Sequence, residues 1–196
     1  MADDDLIWRV LDRTPGHDYG IFQTRWMRAA NPLNGAVRRF VALDCTDWVN
    51  VIALTPDDQV VLIRQFRHGA EVVCTEIPGG MVDPGEAPRE AAARELREET
   101  GYVARTWHAL GVVRPNPAIQ GNRLHTFLAL DAEPLAHTEL EDGEVLALET
   151  RSLDEVAAML RDGRIDHALV AVAFAHLALA AGGRLARPAL APAPEP

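Results

Sequence analysis

The sequence predicts an α+β fold, with one helix held between sheets and strand segments of its own at the N-terminus. Three observations predict it. Short strand-type segments separated by turn residues run from Leu6 to Ile77. One strongly helical segment, Ala87 to Thr100, is followed by more strands rather than more helices. Two further helical segments then close the pattern.

Taken in order, the first strands are Leu6–Leu11, Ile21–Met27 and Val37–Leu43. Turn signals lie between them at Thr14-Pro15-Gly16 and Asn31-Pro32-Leu33-Asn34-Gly35. A hairpin follows, Val49–Leu54 and Val60–Gln65 around Pro56-Asp57-Asp58. A strand at Glu71–Ile77 then leads into a glycine-rich turn at Pro78-Gly79-Gly80. Pro88 stands near the start of the helix, where a missing amide donor does no harm, and Gly101 stops it. Strands come next at Trp107–Val113, Leu124–Leu130 and Glu144–Leu148, then helices at Leu153–Arg161 and His167–Ala181. These elements divide the chain into an N-terminal β subdomain (1–45), a main domain (46–181) and a Pro/Ala-rich disordered tail (182–196).

The 196 residues suit one domain with a small appendage, and 48% apolar with 24% charged residues is a globular composition. A net charge of −10 argues against nucleic acid as a partner, since that role needs a basic face to replace counterions. A small phosphate ligand needs only a local patch or metal ions. Cys45 and Cys74 are too few for a disulfide framework and wrongly spaced for zinc. The acidic start Met1-Ala2-Asp3-Asp4-Asp5 is unlike a signal peptide, and no apolar run reaches membrane-spanning length. A soluble cytoplasmic protein without a membrane partner is the expectation.

The chemistry concentrates in Gly80, Glu86 and the run Arg94-Glu95-Leu96-Arg97-Glu98-Glu99-Thr100-Gly101-Tyr102. On a helix, Glu98 lies about 60° to one side of Glu95 and Glu99 about 40° to the other, so three carboxylates share a face. Ala93, Leu96 and Thr100 fall on another face that can pack on a sheet. Glu95 and Glu99 are a like-charge i,i+4 pair, unfavourable by a few tenths of a kcal/mol until a cation sits between them. All-oxygen ligands suit a hard ion such as Mg²⁺ or Mn²⁺. Glu-rich helix faces are more often plainly solvated. At residue frequencies of roughly 7%, however, seven fixed identities match by chance about once in a million chains of this length.

Gly80 to Tyr102 resembles the Nudix box, Gly-x5-Glu-x7-Arg-Glu-U-x-Glu-Glu-x-Gly-U with U bulky and apolar, and Tyr102 is its one soft position. Gln65-Phe66-Arg67, Glu76-Ile77-Pro78-Gly79-Gly80, the strands before Cys45, and Pro117 resemble the ADP-ribose and nucleoside-diphosphate-sugar pyrophosphatase branch. The resemblance implies a mixed-sheet α/β/α sandwich and an N-terminal antiparallel β subdomain that forms a homodimer. It also implies Mg²⁺-dependent hydrolysis of ADP-ribose or a nucleoside diphosphate sugar to a nucleoside monophosphate and a sugar phosphate. Glu95, Glu98, Glu99 and the Gly79 carbonyl would bind the metal. Arg94 would orient a carboxylate and Glu86 would brace the loop. Arg67 and Glu76 would contact substrate, although Arg67 reads equally as a surface ion pair.

The sequence also departs from that branch. The loop from Pro115 to Arg123 has no carboxylate where many ADP-ribose pyrophosphatases carry a glutamate, which weakens the case for ADP-ribose itself. The later run Glu139-Leu140-Glu141-Asp142-Gly143-Glu144 resembles the loop that supplies the base. Glu141 and Glu144 are the candidates there, with Glu98 in reserve, and a plain acidic surface loop is as good a reading. Gln120, Asn122 and Arg123 could recognise sugar or phosphate, or simply form turns. His125, alternating with Leu124 and Phe127, reads as structural. Trp26, Trp48 and Trp107 read as core or interface before base-stacking. Two alternatives stay open: a nucleoside triphosphate or dinucleoside polyphosphate hydrolase, and a non-catalytic nucleotide-sugar sensor.

Overall fold

The computed structural model describes residues 3–135 and 145–189. The chain forms two units, Met1–Thr46 with Arg114–Arg123, and Asp47–Val113 with Leu124–Pro196.

In the first unit a 3₁₀ turn at Asp3–Leu6 precedes β1 (Arg9–Asp18), β2 (Gln23–Ala30) and β3 (Val37–Asp44). They form an antiparallel sheet in that order. The turn expected at Thr14-Pro15-Gly16 is absent, and β1 runs straight through it. β1 is an edge strand, where a proline's missing N–H goes unneeded, so Pro15 is tolerated opposite Arg25. The chain turns later, where Asp18 Oδ1 accepts the Gly20 N–H at 2.8 Å and Tyr19 N–H reaches the Phe22 carbonyl at 2.9 Å. The 114–123 segment, expected within the main domain, joins this unit through the Leu43 N–H, which donates to the Ile119 carbonyl at 2.7 Å.

The second unit is an α/β/α sandwich. Its strands are β4 (Trp48–Leu54), β5 (Gln59–Arg67), β6 (Val72–Glu76), β7 (Gly79–Met81), β8 (Tyr102–Val103), β9 (Thr106–Val113), β10 (Leu124–Leu130), β11 (Glu133–Pro134) and β12 (Leu146–Ser152). The helices are α1 (Pro88–Thr100), α2 (Leu153–Asp162) and α3 (Ala168–Ala180). The main sheet runs β12-β5-β4-β10-β9, with β6 beside β5 and β7 beside β4, while β8 pairs with β11. β4 and β10 are parallel and the remaining ladders antiparallel, which makes the sheet mixed.

Central β4 is buried on both faces, so it reads as an almost unbroken apolar run. Alternate residues serve different layers. Val49, Val51 and Ala53 meet Leu96 of α1, together with Phe127 and Ala129. Ile52 and Leu54 meet Val156, Phe174 and Leu177 of α2 and α3, together with Leu128.

Gly79-Gly80, expected as a turn, extends the sheet instead. Gly80 pairs with Val49 and Gly79 with Asn50. β12 starts later than expected and continues to Ser152, whose hydroxyl accepts the Glu155 N–H to cap α2. Residues 182–189 do not behave as a free tail. Leu185 packs on the α2–α3 core, and Arg187 bridges Asp58 at 3.0 Å and Asp131 at 2.6 Å. No described helix is long and apolar enough to cross a membrane.

Candidate active site

Helix α1 and strand β7 build the site; local chemistry bounds the helix, and pairing with β4 makes the strand. Pro88 opens the helix just after Ala87, whose N–H is accepted by Glu90 at 3.4 Å. Gly101 closes it at φ 71°, a left-handed conformation that glycine adopts without strain. Ala91, Ala92, Leu96 and Thr100 are buried and press one face onto the sheet. The opposite shoulder carries Arg94, Glu95 and Glu98.

Arg94 is the hub. Its Nε and Nη2 both donate to Glu86, each at 3.1 Å, and Nη2 also reaches the Met81 carbonyl at 3.0 Å. Its Nη1 donates to Glu95 Oε1 at 2.9 Å and Glu98 Oε2 at 3.1 Å. The Glu86 hydrogen bond, more than any other contact, raises the Arg94 pKa and keeps the guanidinium charged. In return, Arg94 holds the Glu86 carboxyl below the usual glutamate range, helped by the Asp83 N–H at 3.1 Å. The loop between β7 and α1 is thereby tied down at Met81, Asp83 and Glu86.

Two carboxylates abut the glycine strand. Glu99 is only 7% exposed, and its Oε2 accepts the Gly79 N–H at 2.8 Å. A Cβ on Gly80 would lie 2.3 Å from Glu95 Oε1, so that glycine is the space the carboxylate occupies. The helical spacing puts Glu99 on one face with Glu95 and Glu98, and β7, lying against the C-terminal half of α1, buries it. The donor types of Glu95, Glu98, Glu99 and the Gly79 carbonyl suit a hard divalent ion. Among the described residues, no three His, Cys, Asp or Glu side chains converge as a metal-holding group. Arg94 engages Glu95 and Glu98, so a cation would share those oxygens with it.

Arg67 and Glu76 are brought together as a bidentate pair, at 2.7 Å from Nε and 2.6 Å from Nη2. Glu76, expected to touch substrate, is buried, and each of its oxygens accepts a hydrogen bond from Arg67. The pairing raises the Arg67 pKa, and the nearby Glu99 charge adds to it. Nη1 is left as the edge a phosphate can meet, on a side chain 43% exposed.

Gln120, Asn122 and Arg123 belong to the other unit. The Gln120 amide lies 3.7 Å from the Cys45 sulfur, and Asn122 is buried. Glu141 and Glu144 lie outside the described residues. Arg39 lies over Trp26, with its guanidinium carbon 3.9 Å from the ring centroid, and Trp107 is buried with its indole N–H on the Ala104 carbonyl at 3.0 Å. Sequence reasoning missed the Met81 carbonyl and the His125–Asp47 contact of 3.1 Å. A backbone acceptor has no sequence signature. The aspartate is far from its histidine in the chain and meets it only because β4 and β10 are neighbours.

A family model and individual relatives match the chain across these elements. A family model described as the NUDIX domain matches residues 47–171. An ADP-ribose pyrophosphatase of Bacillus subtilis is 30% identical over 132 residues, covering 67% of this chain and 71% of that protein. One from Mycobacterium tuberculosis is 31% identical over 147 residues, covering 72% and 70% respectively. A crystal structure of an ADP compounds hydrolase superposes with a TM-score of 0.78, at 23% identity, over 90% of this chain and 95% of that one. At that identity the likeness speaks for the fold alone.

Proposed function

The chain belongs to the Nudix family, and on that premise we propose that it hydrolyses the pyrophosphate bond of ADP-ribose or another nucleoside diphosphate sugar with the help of Mg²⁺. That it is an enzyme acting on pyrophosphate bonds follows from the family and its relatives. The observation that carries the finer reading is the Arg94 cluster, in which one cation gathers Glu86, Glu95 and Glu98 beside the Gly79-Gly80 strand. The relatives named for ADP-ribose support the substrate class.

Glu95, Glu98, Glu99 and the Gly79 carbonyl would hold the metal, which when bound neutralises phosphate charge and acidifies water. The chain's own residues do the rest. Arg67, clamped by Glu76, offers its free edge to a phosphate oxygen, and Arg94 restrains the carboxylates. A carboxylate takes a proton from the attacking water while the oxygen of that water bonds to one phosphorus. The bridging P–O bond breaks, and the pair leaves as nucleoside monophosphate and sugar phosphate. Glu98 is the base available among the described residues, and Glu141 and Glu144 are the alternatives. Gln120, Asn122 and Arg123 are proposed for the sugar side. The N-terminal strands are proposed to pair two copies into a homodimer, and the two free cysteines suit a reducing cytoplasm.

The test is phosphatase-coupled phosphate release from ADP-ribose, ADP-, GDP- and UDP-sugars, dinucleoside polyphosphates and nucleoside triphosphates, with Mg²⁺ and with chelator. Mg²⁺-dependent release from the diphosphate sugars is expected. Release mainly from triphosphates or dinucleoside polyphosphates would overturn the substrate assignment. Binding without turnover would make the protein a sensor.

A further inference from the structure

The layer between the main sheet and α3 is apolar except along one row. Asn50 on β4, Thr126 on β10 and Gly111 on β9 are register partners across three neighbouring strands. Along the same faces Ile52, Leu54, Leu128 and Leu130 belong to the core beneath α2 and α3. His176 of α3 completes the row. Its ring occupies the room left by Gly111, where a Cβ would meet Nδ1 at 2.2 Å.

Asn50 is 6% exposed and Thr126 1%. Among the described residues, Asn50 Oδ1, Thr126 Oγ1 and His176 Nδ1 are buried atoms with no hydrogen-bond partner in the protein. Buried polar atoms are rarely left unpaired in native proteins, and three in adjacent positions call for a shared partner.

We propose that this row is a buried water site centred on Thr126. The spacing suits it: side chains of register partners on neighbouring strands stand about 5 Å apart. None of the three atoms bonds another, and a water spans such a gap with two hydrogen bonds of about 2.8 Å. The chemistry suits it as well. Asn50 Nδ2 donates to the Leu169 carbonyl at 3.0 Å, which turns Oδ1 inward as a pure acceptor. Nδ1 of an imidazole protonated at Nε2 is a second acceptor, and the Thr126 hydroxyl is a donor. A water matches this set by donating two hydrogen bonds and accepting one. A divalent cation does not, because the row contains no carboxylate to balance its charge. Asn50 also pairs through its backbone with Gly79, so one residue joins the start of α3, the water and the glycine strand.

Thr126→Val keeps the side-chain shape and removes the hydroxyl. If water bridges the row, the variant loses a partner and melts about 2–6 °C lower. Its effect should then be less than additive with that of His176→Phe, because both act on one water. An unchanged or raised Tm for Thr126→Val would mean the hydroxyl is a true orphan, and would overturn the proposal. Should the variant fail to fold, a crystal structure of the unaltered protein that resolves ordered solvent decides. Solvent density within hydrogen-bond distance of Thr126 Oγ1 and at least one of the other two atoms is expected. A dry row, or density at the short distances of a metal ion, would overturn it.

Discussion

Arg94 spreads five hydrogen bonds over three carboxylates and a backbone carbonyl. At the scale of single residues, this is how a helix face rich in glutamate is held together. The consequences differ from one carboxylate to the next. Glu98→Gln keeps an oxygen for Arg94 while removing the charge, so melting temperature should hold and turnover fall by roughly 10²-fold or more. Turnover at the parent rate would remove Glu98 from the reaction. Glu86 contributes to the pH dependence of stability, beside Asp44, Glu155 and Asp162. Its folded-state pKa is lowered, chiefly by Arg94, so its contribution to stability is complete above the ordinary glutamate value of 4.5. That contribution is lost as pH falls through the lowered value. Glu86→Gln should therefore flatten the decline of melting temperature below about pH 4.5 relative to the parent, which a pH series of thermal melts would reveal.

At the scale of elements, the site depends on β7 lying between β4 and the glutamates of α1. Its two glycines are indispensable for different reasons. A Cβ on Gly79 would lie 2.4 Å from the Val49 carbonyl oxygen, which is backbone and cannot swing away. A Cβ on Gly80 would meet the Glu95 carboxylate, the far end of a flexible side chain. Gly79→Ala should therefore lower the melting temperature by several degrees, roughly what 1–3 kcal/mol of overpacking does. Gly80→Ala should melt near the parent while losing activity, because Glu95 is pushed aside. Thermal melts beside turnover assays separate the two. Equal losses of stability would mean that β7 tolerates neither. None of this was legible locally. A Pro-Gly-Gly run is a sound turn signal, and only pairing with β4 makes it a strand.

At the scale of the molecule, the second unit closes on its own C-terminal segment. Leu185 adds to the α2–α3 core, while Arg187 links the turn at Asp58 to the one at Asp131. Ending the chain after Gly183 removes both, and should lower the melting temperature by about 3–6 °C without changing turnover. An unchanged melt would show that these contacts are merely superficial. Composition suggested a free tail from residue 182, since alanine and proline signal no regular element. Leu185, Arg187 and the buried Pro188 hold the segment against the second unit.

Local features of the sequence determined the helix from Pro88 to Thr100, the apolar run of β4, and the Gly80–Tyr102 spacing that marks the family. Each is legible because its physical cause lies within a few residues: a cap, a run of apolar side chains, a spacing of charges along one helix. Tertiary structure alone decided that Glu99 is buried on the Gly79 N–H, that Glu76 serves Arg67, and that residues 114–123 join the first unit. It alone set Asn50, Thr126 and His176 in one row. Those outcomes depend on which strands become neighbours, and strand pairing joins residues far apart in the chain through backbone hydrogen bonds that carry no side-chain signature.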